Sequence, residues 1–271
     1  LFESEKKGNP FVDINNEIKD FELFKKGWPD LHLQVLKETD LIEYKNSPII
    51  FKNSKLSWIK WFNKFEEIEK ILLKKIHLNI DKHKVYTDSD LNKITELLKY
   101  SDLILIEGGP GTGKTTLVID SILNLIQNNK FLNIGIAAPT GKATGRMKEA
   151  IDKQLIKFDK KSLIECQTLN SWIDNSRFNL RKLKFKLCEI DLLVIDEMSM
   201  VSFGLFESTI NYISKNCKII LVGDSNQLPP INSYSIWSYI FEISKNNMFK
   251  NITIKLKKIY RNSGDIINLS K

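Results

Sequence analysis

A parallel α/β sheet is the fold this sequence predicts, on three observations. Short apolar, β-branched runs recur from residue 103 onward, and amphipathic segments of helical period separate them. Between the first run and the helix after it lies a glycine-rich stretch, GGPGTGKTT, at residues 108–116. Strands covered on both faces read as continuous apolar runs, and parallel strands need helical crossovers. Ligands of such sheets gather beyond the C-terminal ends of the strands. The loops that follow strands are therefore where function is to be read.

Residues 1–85 differ in character, with no glycine after Gly8 and Gly27 and three of the five tryptophans. FELFKKG (21–27) and WIKWFNKFEEIEKILLKKI (58–76) have amphipathic helical spacing, which predicts a small, mainly helical N-terminal domain. Trp58, Phe62, Phe65 and Ile68 recur at three- and four-residue steps, as a core face does. The charged HLNIDKHKVYTDSD (77–90) reads as a linker or surface loop. A helix follows at 91–100, then a strand at 103–106, the glycine loop and a helix to 126. Next come a strand at 133–138, a helix near 143–156 and the short apolar piece LIECQTL (163–169). A basic stretch (176–187) precedes strands at 192–196, 218–223 and 251–256. The expected domains are 1–85, then 86–258 with a small basic insertion near 175–190, then the start of a further domain at 259–271. The chain begins at Leu1 and stops within an apparent helix, so it is expected to be a fragment of a longer protein.

Composition narrows the class. The 271 residues carry 42% hydrophobic and 27% charged side chains, as globular proteins do. No run of 18 apolar residues occurs, and the charged start LFESEKKGN is no signal peptide. Cys166, Cys188 and Cys217 are odd in number and lack metal spacing, which predicts three buried, inert thiols in a reduced, cytoplasmic setting. The net charge of +8 suits a nucleic-acid partner. Yet only Arg146, Arg177, Arg181 and Arg261 of the 41 basic residues are arginine, in a chain rich in Lys, Ile and Asn. A base-composition bias would leave the same mark, so charge is supporting evidence only.

The motifs carry the chemistry. Gly108, Gly113, Lys114 and Thr115 fit G-x-x-x-x-G-K-[ST] between a strand and a helix. Phosphate oxygens are held best by backbone N–H groups converging at a helix N-terminus. Glycine clears their approach and permits the positive φ the turn requires, which explains Gly108, Gly109, Gly111 and Gly113. Pro110, Thr112 and Thr116 complete the cradle. Lys114 reaches the β- and γ-phosphates, and the Thr115 hydroxyl serves Mg²⁺. After strand 192–195 come Asp196 and Glu197, suited respectively to metal and to the attacking water. GDSNQLPP (223–230) offers Gln227 for a γ-phosphate or water, though an ordinary turn has the same letters. APTGKA (138–143) opens a helix and supplies Thr140 and Lys142 to a strand's phosphates. Arg261 is either a surface arginine or a γ-phosphate contact.

Taken in order, GGPGTGKTT, AAPTGKA, QTLNSWI, VIDEMSM, LVGDSNQLPP and LKKIYRN resemble motifs I, Ia, Ib, II, III and IV of superfamily 1 helicases, and more narrowly the RecD-like 5′→3′ branch. The resemblance is strong over about residues 90–265 and weaker over 46–67. It implies a RecA-like P-loop NTPase domain, ATP and Mg²⁺ as ligands, and translocation 5′→3′ on single-stranded DNA. It implies catalytic roles for Lys114, Glu197, Gln227 and Arg261, and metal roles for Thr115 and Asp196. Thr140, Lys142 and Thr168 would lie along the DNA. Residues 177–186 fall where the family inserts a small duplex-separating hairpin. RecB and RecC are the partners implied, acting at duplex ends in double-strand break repair and recombination. No further carboxylate cluster suggests nuclease chemistry, which the family assigns to RecB. Asn92 stands where the family reads adenine with glutamine, and Asn170 where a histidine is usual. Motifs V and VI are absent, so this stretch by itself is expected to bind ATP but hydrolyse it poorly. The alternatives are a stand-alone RecD-like helicase, or a degenerate subunit that binds nucleotide for structure alone.

Overall fold

The computed structural model describes residues 1–2, 4, 9–15, 26–42, 47–76, 90–128, 132–155, 163–178, 183–230, 233–245 and 247–258. They fall into two compact units, residues 1–71 with 229–234, and residues 72–228 with 235–271. Residues 77–89 of the anticipated linker (77–90), the segment 21–25 and the residues from 259 onward lie outside the described ones.

The first unit holds helix α1 (Asp30–Glu38) and most of helix α2 (Ile59–Lys74). Beyond the helical expectation it also holds a three-stranded antiparallel sheet, β1 (Val12–Asp13), β2 (Ile49–Lys52) and β3 (Lys55–Trp58), in the order β1-β3-β2. The β2–β3 turn needs positive φ at both central residues, and Asn53 (51°) and Ser54 (61°) supply it. Asn-Ser is a weaker hairpin signature than Asn-Gly, which is why helical periodicity dominated this segment. Ile14, Ile42, Ile49 and Leu56 form the core beneath the sheet. The core face predicted from the spacing is buried at Phe65 and Ile68, whereas Phe62 and Trp58, the latter at the end of β3, are half-buried; the Phe65 ring lies 5.7 Å from Phe11 and 6.1 Å from Tyr234.

The second unit is built on six parallel strands in the order β6-β5-β7-β8-β4-β9. They are β4 (Leu103–Gly108), β5 (Asn133–Ala138), β6 (Leu163–Thr168), β7 (Leu192–Ile195), β8 (Lys218–Gly223) and β9 (Thr253–Leu256). All residues of β4 and β7 are buried, the mark of central strands covered on both faces. The crossovers supply α3 (Asp90–Tyr100), α4 (Lys114–Asn128), α5 (Gly141–Leu155), α6 (Leu169–Phe178), α7 (Phe203–Tyr212), α8 (Ile236–Ile243) and α9 (Asn247–Asn251). One apolar cluster runs from Ile94 and Leu97 through Ile104, Ile106, Val118 and Ile122 to Val194, Ile220 and Val222. The apolar piece 163–169 is thus an edge strand, paired in register with β5 from Asn133↔Leu163 to Ala138↔Thr168.

Close packing sets two further features. A Cβ on Gly223 would lie 2.4 Å from the Trp237 ring, so glycine is what lets α8 approach β8. At the N-terminal ends of the strands, Lys75 Nζ donates to the carbonyls of Lys215 (3.1 Å) and Cys217 (2.6 Å). Lys218 Nζ donates to Leu98 O and Asp102 Oδ1, both at 2.7 Å. Among the described residues no helix is long and apolar enough to cross a membrane.

Only Cys217 of the three thiols is buried; Cys166 is half-buried and Cys188 exposed, which corrects the expectation of three buried ones. Burial pushes Cys166 and Cys217 up to about 12. At pH 8 that leaves about one thiolate in ten thousand, and the thiolate is the reactive form. Titration of the native protein with a chromogenic disulfide at pH 8 should release one fast equivalent per chain, abolished by Cys188→Ser. The other two should react only on unfolding.

Candidate functional site

Strand β4 ends at Gly108 and α4 begins at Lys114, so residues 109–113 form the tight loop between them. Gly111 (φ 78°) and Gly113 (φ 81°) occupy the left-handed region that side chains disfavour. Gly108 is needed for space instead: a Cβ there would lie 2.7 Å from Thr112 Oγ1. Thr112 is buried and closes the loop by donating from Oγ1 to Gly109 O at 2.8 Å. Pro110 and Thr116 are exposed. Lys114 Nζ donates to the carbonyls of Gly108 and Gly109, which holds its ammonium over the loop. The loop thus offers amide groups at the N-terminus of a 15-residue helix, beside a fixed positive charge.

The end of β7 meets this loop. Thr115 Oγ1 donates to Asp196 Oδ2 at 3.3 Å, joining residues 81 positions apart in the chain. Burial raises the Asp196 carboxyl above its ordinary range, opposed by the Glu197 amide, the Lys114 charge and the Thr115 hydroxyl. A hydroxyl and a carboxylate this close fit a hard divalent cation that takes its remaining ligands from phosphates and water. Among the described residues no group of three His, Cys, Asp or Glu could hold a metal alone.

Glu197 adopts φ 54°, ψ 41°, left-handed for a residue with a side chain. Its amide donates to Asp196 Oδ1 at 2.8 Å, which tightens the turn. Strain of this kind persists only where its surroundings enforce it, and it collects at functional sites. Burial first, and the Asp196 charge second, raise the Glu197 carboxyl, while Arg146 and Lys114 draw it down. Nothing in the letters VIDEMSM signals that backbone conformation.

The loop after β8 is tied to both neighbours. Gln227 Nε2 donates to Asp224 Oδ2 at 3.2 Å, and Gln227 Oε1 accepts from Ser199 Oγ at 3.0 Å. Ser199, buried directly behind the acidic pair, was not among the sequence candidates. Nor were Glu107 and Ser225, although Ser225 donates to Glu107 Oε1 from both its amide and its hydroxyl, each at 2.8 Å.

Thr140 and Thr168 follow the paired strands β5 and β6, and each caps the helix it precedes. Thr140 Oγ1 accepts from the Ala143 amide at 3.3 Å, and Thr168 Oγ1 from the Ser171 amide at 3.2 Å. Lys142 is exposed in the first turn of α5. These three candidates share one end of the sheet with the cradle. Arg261 and the Asn92 side chain lie outside the described residues, as do residues 179–182 of the basic stretch.

Comparison with known proteins supplies a second line of evidence. Residues 92–233 match the family model of the AAA domain. The chain is 34% identical over 85% of its length to the RecBCD enzyme subunit RecD of Buchnera aphidicola subsp. Schizaphis graminum, and covers 40% of that protein. It is 35% identical over half its length to the RecD subunit of the Acyrthosiphon pisum strain, covering 24%. It is also 28% identical over 59% of its length to the ATP-dependent RecD2 DNA helicase of Deinococcus radiodurans, covering 19%. The chain therefore spans less than half the length of each.

The Glu197 conformation has a measurable cost. A left-handed residue with a Cβ forfeits about 1–2 kcal/mol, and glycine gives back about 0.5–1 through its looser unfolded state. Glu197→Gly also relieves the repulsion with Asp196. It should stabilise the protein by about 1 kcal/mol and raise the thermal midpoint by about 2–4 °C in calorimetry. A lower midpoint would mean that the conformation carries no strain.

Proposed function

Because the chain belongs to the AAA domain family, we propose that it is the nucleotide-hydrolysing motor domain of a RecD-like DNA helicase, a reading its similarity to RecD and RecD2 supports. Its finer role in this reading is 5′→3′ translocation on single-stranded DNA, as the RecD subunit of a RecBCD-type helicase–nuclease in a reduced cytoplasm. RecB and RecC are its partners and broken duplex ends its substrate. The observation that carries the reading is the 3.3 Å contact between Thr115 and Asp196. It joins the phosphate cradle to the acidic strand tip, which is the arrangement triphosphate hydrolysis requires.

The residues divide the work. Amides of 109–115 and the Lys114 ammonium bind the β- and γ-phosphates of ATP. Thr115 and Asp196 would hold Mg²⁺, which would neutralise charge on the phosphate oxygens. Glu197 accepts a proton from the attacking water and orients it; its raised carboxyl strengthens it as a base. Gln227 lies between Asp224 and Ser199, where a change at the γ-phosphate reaches the loop it anchors. Arg261 is assigned to the γ-phosphate in this reading by its place in the motif LKKIYRN alone. Along the sheet edge, Lys142 and the uncapped first-turn amides beside Thr140 and Thr168 face the phosphates of one DNA strand.

Two experiments on the full-length protein test this. Lys114→Ala should abolish DNA-stimulated hydrolysis. Glu197→Gln should retain ATP affinity within about threefold while turnover falls by about 10²–10⁴. A subunit that binds nucleotide for structure alone would show neither loss. The affinity for single-stranded DNA should fall log-linearly with salt, by about 0.7 per phosphate contact. Lys142→Ala should reduce that slope by one contact, and an unchanged slope would remove Lys142 from the strand path.

A further inference from the structure

Glu107 has no place in the phosphate chemistry, yet it stands one residue before the cradle. It is the one charged residue in β4, LILIEG, and it is buried. An aliphatic side chain would continue the strand at far lower desolvation cost. No ammonium or guanidinium pairs with it among the described residues. Lys255, opposite it in register on β9, places its Nζ over the Phe241 ring at 5.3 Å instead. A carboxylate beside a triphosphate site also repels the ligand. Something must offset these costs.

The offset is visible on the other side of the strand. Glu107 pairs in register with Gly223 of β8, and its Oε1 accepts both the amide and the hydroxyl of Ser225 at 2.8 Å. Ser225 sits directly after Asp224, which accepts from the Asn226 amide at 3.0 Å and from Gln227 Nε2 at 3.2 Å. Gln227 in turn meets Ser199. One hydrogen-bonded chain thus runs from the end of β4, through the loop after β8, to the turn that follows Asp196 and Glu197. Among the described residues, Glu107 Oε2 and Trp237 Nε1 are both buried without a hydrogen-bond partner, and the Trp237 ring covers Gly223, the register partner of Glu107. Among those residues the carboxylate is therefore held by Ser225 alone.

The geometry points to Glu107 as a positioning residue that clamps the 224–227 loop to the phosphate-loop strand, so that Gln227 meets the γ-phosphate side of the site. The inference rests on the nucleotide-hydrolysis reading. It requires an acceptor oxygen at position 107 and does not require its charge. Glu107 acts through Ser225 and touches no substrate.

The test separates acceptor from charge in the full-length protein. Glu107→Ala should speed amide exchange of Ser225 by about tenfold or more in the nucleotide-free protein. It should lower the kcat of ATP hydrolysis by about tenfold while KM stays within about threefold. Glu107→Gln keeps an acceptor and should restore both, with nucleotide bound as tightly or more tightly than before. Ser225→Ala, which removes the hydroxyl donor alone, should give an intermediate kcat; this milder variant decides the matter if Glu107→Ala does not fold. Ser225 exchange unchanged in Glu107→Ala overturns the inference, and so does a kcat loss equal in the Ala and Gln variants. A parent protein without ATPase activity would refute the hydrolysis reading instead, and the exchange measurement would still decide the clamp.

Discussion

The whole site depends on one constraint, that parallel strands put all their C-terminal ends on the same edge. Here β4, β7 and β8 are adjacent in the sheet, so the loops that follow them share one small space. The Thr115–Asp196 contact is the direct expression of that topology. Residues 81 positions apart meet because β7 and β4 flank β8, and no local propensity could bring them there. The apolar core enforces the arrangement: Ile104, Ile106, Val194, Ile220 and Val222 lock the strand register from below. A one-residue slip in any of these strands would turn the tip residues to the opposite face.

That same edge concentrates features that oppose stability. Asp196 is buried with its carboxyl raised, Glu197 is strained, and Glu107 is a buried carboxylate with one oxygen unpartnered. The opposite edge carries hydrogen-bonded lysines instead. There Lys75 and Lys218 spend their ammonium groups on strand-end and helix-end carbonyls. Two of the 41 cations thus do structural work at the far side of the sheet, so the net charge of +8 is not a count of phosphate contacts.

Much of this was legible in the sequence because the signals were of the kind that sequence carries. Strands β5 and β8 match their apolar runs residue for residue, and the glycine spacing located the tight loop between β4 and α4. The acidic pair was found because it ends a buried strand. Two kinds of feature escaped. The β2–β3 hairpin rests on Asn53 and Ser54 in a conformation their letters only weakly encode. Ser199, Glu107 and Ser225 were missed because each has an ordinary side chain whose meaning comes from a partner 28 or 118 residues away. Pairings of that kind follow from sheet order, and strand order cannot be read from a single sequence.

The two capping threonines show why structural and binding roles need not compete. A cap hydroxyl satisfies one of the amides at a helix start and leaves its neighbours unbonded. Thr140 takes the Ala143 amide, and Thr168 takes that of Ser171. The remaining first-turn amides of α5 and α6 are thereby aligned at adjacent strand ends, since Ala138 and Thr168 are register partners. Helix dipoles at both N-termini favour negative charge at that edge. Successive phosphates of one strand could satisfy such amides without displacing either cap. In the proposed DNA-tracking role, the hydroxyls committed to local structure would keep those amides in place, and replacing them would disturb a bound strand through its backbone contacts.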